Sequence, residues 1–448
     1  MLGTLNIGSS ADLERRTLSG EPLYRTSLNI AAVFVVLFAS MTFFRIRDYT
    51  DKSLDFQIAF KMAAIGLSFI VPIASLIVGR ISLSNRLVLA WLAFLLALVG
   101  SSFQAPVFSV SFIDSVAFVG CFIFCVWMAT RFGETNAATL MILIVAAVAV
   151  LSLIVYFVNP ELGRMRAWLG SEFGGNNRIR GIAGSPNGLG SMTAMALLLS
   201  ILYFKRMTMT VRKAVLIVSI PISICLIMTD NRMSFLSLIV CAGLYMINRR
   251  NRVAIGLLAA LALAALLVLL LAEPDFFMAS LSRTGDASEI SNGNGRTEIW
   301  AVVLEHIARR PLTGYGYAAA TSILPLDPRL FSVAAHTHNL YLEVLFSGGI
   351  IAFGLFLVAI AMSIYEGLRK RCFEPLIMLF FFLIRGLTEP SPFSNMPTFA
   401  GYAFFMSAAF IVVRVINTEA VYGQLARNHA AASLLRCKQI LKGKQATA

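Results

Sequence analysis

Charge is what this chain has least of. Only 13% of its 448 residues are Asp, Glu, Lys or Arg, against 58% hydrophobic ones, and the mean hydropathy is +0.80. That balance excludes a water-soluble globular domain. Cysteine is also sparse. The six present, at 121, 125, 225, 241, 372 and 437, fall in apolar runs or in segments assigned below to the cytoplasm, which excludes a disulfide framework. Cys121 and Cys125 share a helical face at i, i+4, but no second pair of ligands accompanies them, so no metal site is read there. No internal repeat and no low-complexity stretch is evident beyond a Leu/Ala-rich run near 253–272. Histidine is rarer still, four in all, and His336 and His338 stand two apart where a polar segment gives way to a long apolar one.

What is abundant is long apolar runs. Windows of about 17 to 25 mostly apolar residues give about twelve transmembrane helices. They lie near 28–44, 58–78, 87–103, 107–128, 137–158, 187–204, 214–229, 233–248, 253–272, 339–364, 375–388 and 397–416. The fold class expected is therefore an all-α polytopic membrane protein. Its parts are a cytoplasmic N-terminal tail over 1–26, helices one to nine over 27–272, a large periplasmic loop over 273–338, helices ten to twelve over 339–416, and a basic cytoplasmic tail over 417–448. The first 26 residues are polar and the first apolar run lacks a small-residue cleavage site, so it reads as a retained span.

Orientation follows from the connecting loops that carry Lys and Arg. Arg80 and Arg86, Arg131, Lys205, Arg206, Arg212 and Lys213, Arg249, Arg250 and Arg252, then Arg369, Lys370 and Arg371 all fall on one side with both termini. That side is assigned to the cytoplasm. The net charge of +14 is thus mainly a topology signal, with bilayer lipids rather than nucleic acid as its partner.

Within the large external loop, Ile299, Trp300, Val303, Leu304 and Ile307 recur at helical spacing. The pattern predicts a short amphipathic helix from about Arg296 to Arg309, stopped by Pro311 and resting on the membrane surface or the tops of the spans. Ionisable residues at mid-depth, the usual mark of a transporter, reduce to Lys61 and Asp114. The suggestive polar groups gather at one face instead. Arg178 and Arg180 precede "GIAGSPNGLG", which holds Asn187; Asp230 and Arg232 sit in "MTDNRMSFLSL"; Arg296 opens the external helix; His336 and His338 close the loop; Arg385 and Glu389 lie in "LIRGLTEPSP". Arginines with histidine at one membrane level suit an anionic, membrane-borne substrate, because guanidinium binds phosphate bidentately without losing its charge. A neutral imidazole, titrating near pH 6.5, accepts a proton from an attacking hydroxyl. Asn339 and Glu343 put further polar groups on the first turn of the tenth span, and Gly348-Gly349 permits a kink or close helix approach. A zinc site would need a ligand that neither Cys nor a further His supplies, so no metal is expected.

These motifs resemble those of the bacterial O-antigen ligase family, which includes O-antigen and exopolysaccharide polymerases. Its ligases carry an Arg followed four residues later by Leu, here Arg232 and Leu236, and a His-Asn, His-Ser or His-Gln pair followed by nine residues and a Gly, here His338-Asn339 and Gly349. The second pattern ends in Gly, Thr or Tyr where this chain has Ala352, a small steric departure. "RIRGIAGSPNGLG" and "GRTEIW...RRPLTGYGY" add to the likeness.

The resemblance implies a metal-independent, cofactor-free glycosyltransferase in the bacterial inner membrane, acting at its periplasmic face. It would move a glycan from undecaprenyl pyrophosphate to a sugar hydroxyl, with a lipid-linked glycan or lipid A core as acceptor and other polysaccharide-assembly proteins as possible partners. Arg232, Arg296 and His338 are the expected catalytic residues. Arg178, Arg180, Asn187, Asn339, Glu343 and His336 are the expected binding residues. "GRTEIW" and "HTHNLYLEVLFSGGIIA" resemble the polymerase branch; the alternatives are a ligase and, from another class, a flippase for lipid-linked glycans.

Overall fold

The computed structural model describes residues 23–44, 55–78, 85–168, 173–249, 296–330, 336–393 and 395–418. The expected ninth span, residues 273–295 and 331–335 of the large loop, and most of both tails lie outside the described residues.

Helices dominate. They are α1 (Leu23–Met41), α2 (Phe56–Ile77), α3 (Arg86–Ser101), α4 (Phe108–Val158), α5 (Pro186–Tyr203), α6 (Met209–Met228), α7 (Arg232–Asn248), α8 (Arg296–Arg309), α9 (Leu340–Arg369), α10 (Phe373–Arg385) and α11 (Phe399–Thr418). Seven helices among the described residues are long and apolar enough to cross a membrane; α1 and α7 are shorter apolar helices. Polar caps set their starts: Asp55, Asn85, Ser185, Asn231 and Asn339 each accept a backbone N–H of the first turn.

Two long helices are broken at glycine. The 51 residues of α4 contain Gly133 at φ 72°, ψ 170°, and the chain doubles back there. Residues around Phe118 and Ser152 lie at one end of the bundle, beside Tyr317 and Ile182, while Glu134 lies at the other, beside Arg206 and Arg414. Thus α4 supplies both spans expected over 107–158. In α9, Gly349 has φ 61°, ψ −165°. The segment before it runs from Gly386, whose carbonyl accepts Leu340 N–H at 2.7 Å, to Leu98 and Ser101 at the end of α3. The kink allowed by Gly348-Gly349 is therefore present, and it lays a short half-helix across the top of the bundle.

One element departs from an all-helical expectation. Between α4 and α5, β1 (Arg164–Trp168) and β2 (Phe173–Ile179) form an antiparallel two-stranded ribbon, with Arg164 opposite Ile179 and a register shift after Arg166.

The core is aromatic. Trp91, Phe94, Phe118, Phe356, Phe393, Phe404 and Phe405 pack mostly edge-to-face, with neighbouring centroids 5.2 to 6.5 Å apart, and Trp91 Nε1 donates to Ser363 Oγ at 3.1 Å. Helices in lipid gain little from burying apolar surface, so this close packing and such bonds hold them together. Of the two mid-depth charges, Lys61 Nζ lies 3.2 Å from the Phe43 ring centroid, and Asp114 is buried in the neighbourhood of Tyr317. They do not meet in a central path.

The helix expected over Arg296–Arg309 is α8. It buries Val302, Val303 and Ile307 against Ala319, Ala320, Leu324, Leu330 and Phe346, so it rests on the α9 half-helix and its own loop.

Candidate functional site

The polar segments that interrupt the apolar runs meet at one end of the bundle. Arg178, at the end of β2, donates from Nε to Thr229 O at 2.7 Å and from a terminal nitrogen to Asn187 Oδ1 at 3.0 Å and Asp230 O at 3.4 Å. It clamps the α6–α7 turn to the start of α5. Asn187 Nδ2 donates to Glu389 Oε1 at 3.0 Å, and Arg296, the first residue of α8, donates to the same oxygen at 3.2 Å. Arg385, 1% exposed, ends α10 and donates to Ser234 Oγ (3.0 Å), to the Asn187 carbonyl (3.1 Å) and to Ser391. Five segments distant in sequence are thereby drawn to one polar layer.

The arginines divide into two kinds. Arg178 and Arg385 are buried, with their guanidiniums committed to protein oxygens. Arg232 is 42% exposed and 3.7 Å from Asp230 Oδ1, and Arg296 is 21% exposed beside Glu389. These two present charge outward. Asp230, at φ 46°, is in the left-handed region, which costs a residue with a side chain. The strain sits where the α6–α7 turn must deliver Arg232.

The histidines lie close by. His338 has φ 51°. Its Nδ1 and that of His336 are buried without a hydrogen-bond partner among the described residues, and the ring centroids are 6.4 Å apart. Burial lowers the His336 pKa to about 4, with His338 adding to the fall and Glu389 opposing it. Burial also holds His338 below 6.5, Glu389 opposing and Arg296 reinforcing. Both rings are therefore neutral near pH 7, and each keeps a nitrogen able to accept a proton.

The loop is fixed from several sides. Trp300 Nε1 donates to Thr337 O at 2.9 Å, Thr337 Oγ1 donates to Glu343 Oε2 at 2.8 Å, and Asn339 caps α9 while its Nδ2 donates to Leu387 O at 3.0 Å. Glu343 is fully buried and holds the histidine loop through Thr337.

Sequence reasoning thus placed Arg178, Asn187, Arg232, Arg296, His336, His338, Asn339 and Glu343 in one neighbourhood, and the structure brings them there. Arg180 is elsewhere: it donates to Leu162 O at 3.0 Å and Glu161 O at 2.6 Å, bracing the turn before β1. Arg385 and Glu389 stand in the sequence only as charges on the same face, yet Glu389 joins Arg296 to Asn187. The available signal was an Arg and a Glu four residues apart directly after an apolar run.

Comparison with known proteins agrees with the motifs. Residues 214–357 match the family model described as O-antigen ligase. The chain is also 34% identical over 106 residues to a protein named O-antigen ligase from Pseudomonas aeruginosa; the match covers 23% of this chain and 26% of that relative's length. The resemblance to the O-antigen ligase family therefore holds. The family match includes Arg232, Arg296, His338 and Gly349, whereas Arg178, Asn187, Arg385 and Glu389 lie outside it.

Proposed function

We propose that the chain is an integral-membrane glycosyltransferase that moves a glycan from undecaprenyl pyrophosphate to a sugar hydroxyl at the periplasmic face, with both termini in the cytoplasm. The observation that carries this reading is a pair of part-exposed arginines, Arg232 and Arg296, at the same end of the bundle as His338, whose Nδ1 is buried without a hydrogen-bond partner among the described residues.

In the reaction the acceptor hydroxyl oxygen bonds to the anomeric carbon as the bond from that carbon to the pyrophosphate oxygen breaks. The hydroxyl proton passes to a ring nitrogen of His338. The electron pair leaves on the lipid pyrophosphate, and Arg232 and Arg296 stabilise the charge that develops there. Glu389 keeps Arg296 in place, and the Asp230 turn aims Arg232. None of these steps calls on a metal.

Within this class we assign a repeat-unit polymerase, on the strength of "GRTEIW" and "HTHNLYLEVLFSGGIIA". The second reading, a ligase acting on lipid A core, is favoured by the names of the matching family and relative. Purified protein given a single undecaprenyl-pyrophosphate-linked oligosaccharide decides between them. A ladder of longer lipid-linked glycans is expected. Product that forms only once lipid A core is added would replace the polymerase with a ligase, and no product with either acceptor would end the proposal.

A further inference from the structure

A second cluster of buried charge lies at the end of the bundle away from the histidines. Glu374, in the first turn of α10 with its side chain 3% exposed, accepts Arg249 at 2.6 Å, Arg206 at 2.9 Å and Arg414 at 3.3 Å. Glu134, directly after the Gly133 break, accepts Arg206 at 3.1 Å, the Tyr203 hydroxyl at 3.4 Å and both donor edges of Arg414. Two carboxylates are thus shared among three guanidiniums drawn from separate elements.

Those elements are the ones that carry the polar layer at the other end. Arg206 follows α5, whose second residue is Asn187. Arg249 caps the end of α7, which begins with Arg232. Glu374 opens α10, which ends with Arg385. At the histidine end the same three helices are joined directly, through Arg385 to Ser234 and Arg385 to the Asn187 carbonyl. A helix is stiff along its axis, with a fixed rise of about 1.5 Å per residue, so pinning one end sets the height and rotation of the other.

We infer that Glu374, seconded by Glu134, is a positioning residue for the transfer reaction, fixing the axial register of α5, α7 and α10 so that Arg232 meets the reacting pyrophosphate. This rests on the proposed transferase reading. Removing the Glu374 carboxylate leaves Arg249 without its carboxylate partner and Arg206 and Arg414 sharing Glu134 alone, so three part-exposed guanidiniums repel one another and the helix ends move apart. A displacement of about 1 Å at a reacting centre can cost on the order of 100-fold in rate. Because the lipid-linked donor still binds through the rest of its length, the loss belongs in kcat more than in KM.

The test is Glu374→Gln in the full chain, read two ways. One is kcat and KM for the lipid-linked donor. The other is the distance between spin labels on cysteines replacing Phe235 and Leu387, exposed positions at the histidine ends of α7 and α10. Expected are a kcat at least tenfold lower, a KM within about twofold of the parent, and a shifted or broadened distance. Glu366→Gln, whose carboxylate pairs only with Arg369 on its own helix among the described residues, should change neither. Unchanged kcat with an unchanged distance, or a rise in KM alone, overturns the inference. If Glu374→Gln fails to accumulate, Arg249→Gln, which removes one half-exposed donor, is judged by the same readouts. An inactive parent protein would fault the transferase reading, and the spin-label distance would still decide the register.

Discussion

At the residue scale the site depends on which polar groups remain part-exposed and which are committed to the protein. Arg232→Ala, Arg296→Ala and His338→Ala are each expected to lower transfer at least 100-fold with membrane insertion intact, measured with purified protein; full activity in His338→Ala would remove the imidazole from the mechanism. His336→Ala should be milder. Burial lowers both histidine pKa values, so the acid limb of the rate profile should fall below pH 6.5. Stability has the same sign. Between about 4, the folded value for His336, and 6.5, the unfolded chain binds more protons. Stability is therefore fully present above 6.5 and falls as pH drops toward 4, by roughly 3 kcal/mol at most for this residue; thermal unfolding in detergent across that range checks it. Arg232, Arg296 and His338 were legible in the sequence because charge is so rare there. The separation of Arg178 from Arg180 was not. Two residues apart on a continuing strand they would share a face, but β2 ends at Ile179 and Arg180 adopts φ −102°, ψ −36°, which turns its side chain toward Leu162.

Among the elements, the α9 half-helix is the one most exposed to a single substitution. A Cβ on Gly349 would stand 2.3 Å from the Leu312 carbonyl carbon, and its φ of 61° disfavours any side chain. Gly349→Ala should cost more than about 2 kcal/mol, seen as a lower melting temperature, and should cut transfer by displacing His338 and Asn339. A melting temperature equal to the parent's would show that the break is not needed. The sequence made the break thinkable through paired glycines, and it placed α8 at its exact ends because amphipathic spacing and Pro311 leave little choice. The β1–β2 ribbon escaped notice. Its strands are short and polar, and the "GGNN" within β2 carries no alternating apolar pattern.

For the whole molecule, side-of-membrane assignments follow from basic loops, and the structure adds that the loops of each side meet in space. In a background with Cys437 replaced, Leu326→Cys should react with an impermeant maleimide in intact spheroplasts, and Lys213→Cys only after permeabilisation; the reverse pattern would invert the topology. The described native cysteines are buried and silent. The length of α10 has a wider consequence. Glu374 and Arg385 are eleven residues apart, about 17 Å along a helix axis, whereas the hydrocarbon layer is about 30 Å thick. The two polar layers thus approach each other inside the protein, and the transmembrane voltage drops over a shorter low-dielectric path there than in the surrounding lipid. On the proposed transfer reaction, negative charge released onto the pyrophosphate beside that path should feel the voltage, at most about 2.3 kcal/mol per charge for 100 mV. Transfer in proteoliposomes should therefore change rate when a potassium diffusion potential is imposed, which would make the proposed transfer site electrically sensitive.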